Sequence, residues 1–215
     1  FEYDTGMMSI HEKELRCDLA RFIQRGYRQR LLTSSTGSFS ARIDERSFLI
    51  TPYHLDRYTV QPEDLIMIRK GKAQFGLQAS RAVLAHQAIY NARPDVQAVI
   101  NAYPVNAMAF SLCGEKIDTY TIPESYVFVG EVSVLPFETT FNDFERMTKT
   151  LSLKTPAAVL CNNGVMIVGK SVLAAFDQLE VLECSAEAII DIQPIGGHVP
   201  MTQATIDELC KAFNL

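Results

Sequence analysis

Four histidines, five cysteines and a set of arginines hold most of the chemistry open to this chain of 215 residues. His54 stands next to Tyr53 and three residues before Arg57, in a stretch with turn character. An imidazole placed there is a candidate proton-transfer group, with a loop bystander as the alternative. His86 falls on a predicted helix face turned to the core, where a buried histidine with one satisfied nitrogen competes with any functional role. His11 and His198 lie near the two ends and have no partner at useful spacing. Cys17, Cys113, Cys161, Cys184 and Cys210 are scattered, odd in number and form no C-x-x-C pair. They read as reduced thiols of a cytoplasmic protein, mostly filling the core. Arg81 opens a predicted helix. Its guanidinium is fixed positive and cannot act as a base, but its fork suits a phosphate or carboxylate. A cation at a helix N-terminus is unfavourable unless an anion joins it, and an ordinary surface arginine is the alternative.

The elements that would position these groups follow from periodicity and turn chemistry. Residues 1–8 read as a polar tail or linker and residues 9–215 as a single domain. The chain begins with Phe rather than Met, so a longer or processed gene product is expected. Leu15, Leu19, Phe22, Ile23 and Tyr27 recur at helical spacing behind Ser9, with Glu12 three residues on as in a capping box. Short strands are predicted over 38–42, 47–51 and 64–69, and a buried strand over 96–100. A helix over 81–92 ends at Arg93-Pro94, and further helices are predicted over 106–112 and 143–153. A strand is predicted over 132–136. Asn162-Asn163-Gly164 joins strands over 157–161 and 165–168, the strongest hairpin signal in the chain. Ser171 caps a long helix, and a last helix spans 202–213. Hairpins mixed with helices predict a largely antiparallel sheet with helices on its faces, not a regular parallel α/β alternation.

Composition sets outer limits. Hydrophobic residues make up 47% and charged residues 21%, which is a globular composition. The net charge of −5 gives no basic face for nucleic acid, and the cluster Arg21, Arg25, Arg28 and Arg30 reads as a solvated helix face. No run of 18 apolar residues exists, so no membrane span is predicted.

Four segments, in order, resemble the class II aldolase/adducin family. Thr36-Gly37-Ser38-Phe39-Ser40-Ala41-Arg42 is similar to its Gly-Asn-x-Ser-x-Arg turn, and Phe48-Leu49-Ile50-Thr51-Pro52 to its Ile-Thr-Pro loop. His86 to Ile100, with Ile89-Tyr90 and Arg93-Pro94-Asp95 inside it, is similar to its His-x-x-Ile-Tyr-x-x-Arg-Pro-Asp segment. Leu160-Cys161-Asn162-Asn163-Gly164 is similar to its Asn-His-Gly stretch. The resemblance covers about residues 9–193. It implies a three-layer α/β/α sandwich on a largely antiparallel sheet, a homotetramer with sites between subunits, and zinc-assisted chemistry on small sugar phosphates.

At the matched positions the chain departs from that chemistry. The family's three zinc histidines align with Asn101, Tyr103 and Asn163, and its catalytic Glu with Ala82. Neutral amides and a phenol are poor ligands for zinc, so no zinc or other cofactor is expected. Ser38, Ser40, Thr51, Ser80 and Arg81 fall at or beside phosphate-contacting positions and form the expected anion site. Glu124 and Tyr126, in a segment predicted to precede a strand, occupy a region where the family draws site residues from a neighbouring subunit. With His54 they are the remaining acid/base candidates. Two functions stay open: a non-zinc pseudoenzyme acting as an oligomerisation or ligand-binding module, and a lyase using a rearranged site on a small sugar or keto acid.

Overall fold

A strand that is apolar on both faces needs cover on both sides. β5 (Ala98–Ala102), β7 (Ala157–Leu160) and β8 (Val165–Gly169) are buried along their whole length. They are consecutive neighbours, β5-β8-β7, inside one eight-stranded sheet in the computed structural model, which describes residues 8–215. The tail expected over 1–8 lies, Met8 apart, outside the described residues. The other strands are β1 (Ser38–Asp44), β2 (Ser47–Ile50), β3 (Ile66–Arg69), β4 (Lys72–Ala73) and β6 (Ser133–Leu135). The order across the sheet is β4-β3-β2-β1-β5-β8-β7-β6. Every neighbouring pair is antiparallel except β6 with β7.

Successive side chains point to opposite faces, and this alternation sorts the core into two layers. Phe39, Ala41, Ile100, Val159 and Ile167 meet α1 (Ile10–Arg28), α3 (Val105–Cys113), α4 (Pro123–Val129) and α6 (Val172–Asp191) through Phe22, Ala107, Val129 and Phe176. On the other face Phe48, Val99, Leu160 and Met166 meet α2 (Val83–Ala92) and α5 (Phe144–Thr150) through Ile89, Tyr90 and Met147. The result is the three-layer α/β/α sandwich with a mostly antiparallel sheet. A last helix, α7 (Gln203–Phe213), rests against α4.

Several local expectations shift. α2 starts at Val83, and Ser80-Arg81 belong to the turn before it, where Val83 N–H bonds Ser80 C=O. The strand expected over 96–100 runs over 98–102, which carries Asn101 into the sheet. The segment at Pro123 opens α4 directly; Pro at a first helical position loses no hydrogen bond, and the β-branched and aromatic residues behind it hid the helix. Only half of the capping box forms: Ser9 Oγ accepts from Glu12 N–H, while the Glu12 carboxylate pairs with Arg16. The cysteines are not core filler. Cys17, Cys113 and Cys184 are exposed and Cys161 and Cys210 half-buried, because the helical ones fall off the apolar stripe. None of the helices is long and apolar enough to cross a membrane among the described residues.

Candidate functional site

Phe39 and Ile100 turn into the α1/α6 layer, so Ser38, Ser40 and Asn101 face α2 from the opposite side. Ser38 is registered across from Asn101. At this end of the sheet a cavity of about 100 Å³ is lined by Ser38, Tyr53, His54, Arg57, Ser80 and Arg81, together with Asn101 and Tyr103. A second cavity, of about 170 Å³, shares Arg81, Ala82, Asn101 and Tyr103 and continues to Thr140, Phe141 and Asn163.

Three of the five residues expected to bind an anion reach the first cavity. Ser38 is 1% exposed and its hydroxyl has no hydrogen-bond partner. A buried polar atom left unsatisfied is unfavourable in the empty site and attractive to a ligand atom. Ser80 lies at the cavity wall, its Oγ accepting from Ala82 N–H at 3.3 Å. Arg81 is exposed, with its guanidinium 5.9 Å from the Tyr53 ring centre. Ser40 and Thr51 do not line either cavity. Ser40 Oγ lies 2.7 Å from His86 Nδ1 and 2.7 Å from Tyr90 Oη, and Thr51 Oγ1 accepts from Phe39 N–H and donates to Phe39 C=O. Their hydroxyls are committed to holding α2 and β2 against β1.

The sequence reading missed the second cation. Arg57 is 2% exposed and lines the same cavity. Its guanidinium donates to the main-chain carbonyls of Gly37, Pro52, Leu55 and Ser35. It thereby clamps the 34–37 turn onto the 51–55 loop. Burial lowers its pKa to about 10, only partly opposed by the charge of Asp56. A cation held by carbonyl dipoles rather than a paired carboxylate leaves positive potential at the cavity. The sequence shows an arginine in a loop, but nothing in its neighbours signals that it is buried.

His54 lines this cavity too, exposed and edge-on to Tyr53 at 4.1 Å between ring centres. Glu124 and Tyr126 do not join it within one chain. Both are on α4, in the layer across the sheet; Glu124 lines a groove with Asp177 and Glu180, and Tyr126 packs edge-on against Tyr120. His86 is fully buried, with Nε2 unpartnered, and burial holds its pKa down at about 3. His198 pairs with Asp118 at 2.8 Å, away from the cavity.

Asn101, Tyr103 and Asn163 converge. Tyr103 Oη lies 3.4 Å from Asn101 Oδ1 and 3.4 Å from Asn163 Oδ1. Asn101 Nδ2 donates to Val165 C=O at 3.1 Å, and Asn163 Nδ2 to Thr140 Oγ1 at 3.0 Å. Ser111, a polar residue inside α3, fixes the hairpin that carries Asn163: its Oγ accepts from Asn163 N–H and Gly164 N–H and donates to Leu160 C=O. Gly164 has φ +78, and a Cβ there would lie 2.2 Å from Ala102 O and 2.9 Å from Tyr103 Cδ1. Burial raises the Tyr103 pKa, opposed by Arg81, so the phenol keeps its proton at neutral pH. The set is therefore two amides and a neutral phenol, a donor set that does not fit zinc. Among the described residues no group of three or more His, Cys, Asp or Glu side chains converges as metal ligands do.

Comparison with known proteins fits this geometry into a family. The Class II Aldolase and Adducin N-terminal domain matches residues 17–190. The chain belongs to the class II aldolase/adducin family. It is 30% identical over 200 residues to the 3-oxo-tetronate 4-phosphate decarboxylase of Pectobacterium atrosepticum, covering 89% of this chain and 87% of that protein. It is also 28% identical to rat (Rattus norvegicus) alpha-adducin over 86% of this chain and 26% of that protein. An aldolase II superfamily protein from Pseudomonas syringae superposes with a TM-score of 0.83 at 25% identity, over 95% of this chain and 86% of that one. Family relatives thus include both enzymes and an adducin, and the site residues must decide between them.

Proposed function

We propose that this chain is a non-zinc member of the class II aldolase/adducin family that binds a small phosphorylated sugar or sugar acid and is a pseudoenzyme for zinc-dependent aldol cleavage. The observation that carries this is the pairing of two features at one end of the sheet. A cavity lined by Arg81 and the buried Arg57 keeps Ser38 unpartnered, while the zinc positions beside it hold a neutral hydrogen-bonded set. A hydroxyl, a fixed cation and a buried cation are the chemistry a phosphate needs. The similarity to a protein named for a tetronate 4-phosphate supports a four-carbon phosphorylated acid as the first ligand to try. The domain is proposed to be cytoplasmic, to self-associate as a homotetramer, and to need neither cofactor, nucleic acid nor membrane.

Calorimetry with inorganic phosphate and with a tetronate 4-phosphate tests the reading. Binding with a Kd on the order of 10⁻³ M is expected, since the cavity is small and Arg81 is exposed to solvent. Arg81→Ala should remove most of it, and Ser38→Ala should cost about 1 kcal/mol. No binding at about 10 mM, or binding unmoved by Arg81→Ala, would sink the anion site. Elemental analysis giving about one tightly held zinc per chain would sink the non-zinc reading.

A lyase reading is the second, favoured by His54 lining the cavity beside Arg81 and Tyr103. Loss of CO₂ from a 3-oxo acid breaks the bond between the carboxyl carbon and its neighbour and moves the electron pair onto the 3-oxo oxygen. Arg81 and the Tyr103 phenol are the donors within this cavity that would face such an oxygen, and His54 the group that would reprotonate carbon. Glu124 and Tyr126 would enter only from a second copy of the chain. CO₂ release from 3-oxo-tetronate 4-phosphate, lost in His54→Ala, would favour this reading over the pseudoenzyme.

A further inference from the structure

The residues at the family's zinc positions do not fit the metal, and a count of their protons says what they do fit. One N–H of each Asn amide is committed outward, to Val165 C=O and Thr140 Oγ1, and both amide oxygens lie on the Tyr103 side. Those two oxygens carry four lone pairs, and the single Tyr103 proton reaches each only at 3.4 Å. Around Tyr103 Oη, two amide oxygens thus share one phenol proton, and a further proton placed there would be taken up.

Three kinds of ligand group can be weighed against these two oxygens: a cation, an oxyanion and an uncharged hydroxyl. A metal ion or an ammonium group would bring positive charge, but none of the described residues lining either cavity is acidic and Arg81 lines both. A like charge there is unfavourable. An oxyanion would bring more lone pairs and no proton. An uncharged alcohol hydroxyl brings a further proton with no charge, and can in turn accept from Tyr103. The second cavity gives it a way in, because Asn101, Tyr103 and Arg81 border both cavities.

We infer that Asn101, Tyr103 and Asn163 form a metal-independent recognition site for a hydroxyl on the carbon chain of a ligand whose anionic end lies against Ser38 and Arg81. This rests on the anion site proposed above. It goes further in stating that the former metal position selects a saturated, hydroxylated carbon chain and disfavours a deprotonated enediolate.

The test uses the intact protein and three four-carbon acids with the same 4-phosphate: the 2,3-dihydroxy compound, its 2,3-dideoxy counterpart and its 2,3-difluoro counterpart. Fluorine keeps a weak acceptor and removes the proton, so the difluoro compound separates donor-seeking from polarity in general. Calorimetry should give the dihydroxy compound about tenfold tighter binding than either analogue, a factor fitting one or two added neutral hydrogen bonds. The preference should survive a chelator. In Asn163→Leu it should shrink to about twofold while the dideoxy compound binds as before. Equal binding of all three, difluoro binding matching dihydroxy, or a preference lost to chelator would overturn the inference and leave the anion site standing. Failure of all three to bind would overturn both. Should Asn163→Leu fold poorly, the three-ligand comparison on the native protein decides the matter.

Discussion

His86 sits at 0% exposure with one nitrogen near Ser40 and the other unpartnered, so a proton on its ring would be a buried charge. Burial lowers its pKa from 6.5 to about 3. Between those values the unfolded chain binds a proton that the folded chain refuses. Stability from this group is therefore undiminished above about pH 6.5 and falls as the pH drops toward 3. The loss should be on the order of 2 kcal/mol by pH 5. Urea titrations at pH 7 and pH 5 should show a steeper decline in the native protein than in His86→Gln, and parallel declines would remove His86 as the cause. At this scale the sequence was legible in part. The core reading of His86 and the departure at Asn101, Tyr103 and Asn163 needed only residue identities. That Ser40 and Thr51 have spent their hydroxyls, and that Arg57 is buried at the cavity, depends on contacts between segments far apart in the chain, which spacing does not reveal.

At the scale of elements, the β7–β8 hairpin does more than turn the chain. Its Gly164 lets the turn close on Ala102 and Tyr103, and Ser111 holds the turn's N–H groups from the other side. A Cβ at Gly164 would combine a disfavoured positive φ with a 2.2 Å approach to Ala102 O. Gly164→Ala should destabilise the protein by at least about 2 kcal/mol, read as a lower urea midpoint. A midpoint within error of the native one would mean the turn relaxes freely. The hairpin was legible because Asn-Asn-Gly between apolar runs names its own turn. Helix α4 was not, because Ser125 to Val129 carries strand-like residues and only tertiary packing, with Ser125 against Ser185 of α6, makes it helical.

At the scale of the molecule, we propose association, since Phe137 and Phe141 are exposed with tilted rings 5.1 Å apart and Phe141 lines the second cavity. Light scattering of a dilute sample should give a mass well above the 24.0 kDa of one chain. A clean monomer at micromolar concentration would count against a shared site and against any part for Glu124 or Tyr126. The layer arrangement itself was legible, since hairpins between helices and strands buried on both faces admit few other packings.

The two ends of the sheet also decide how copies can meet. The outermost strands are β4, two residues long, and β6, three residues long and followed at once by Pro136. An approaching chain would find almost no backbone ladder to extend, and at β6 a proline cuts it short. Among the described residues, neither end of the sheet offers much for strand-by-strand addition. Copies that gather are expected to do so side chain to side chain, over helices and loops, where a point mutation can tune or abolish the contact without unravelling the sheet.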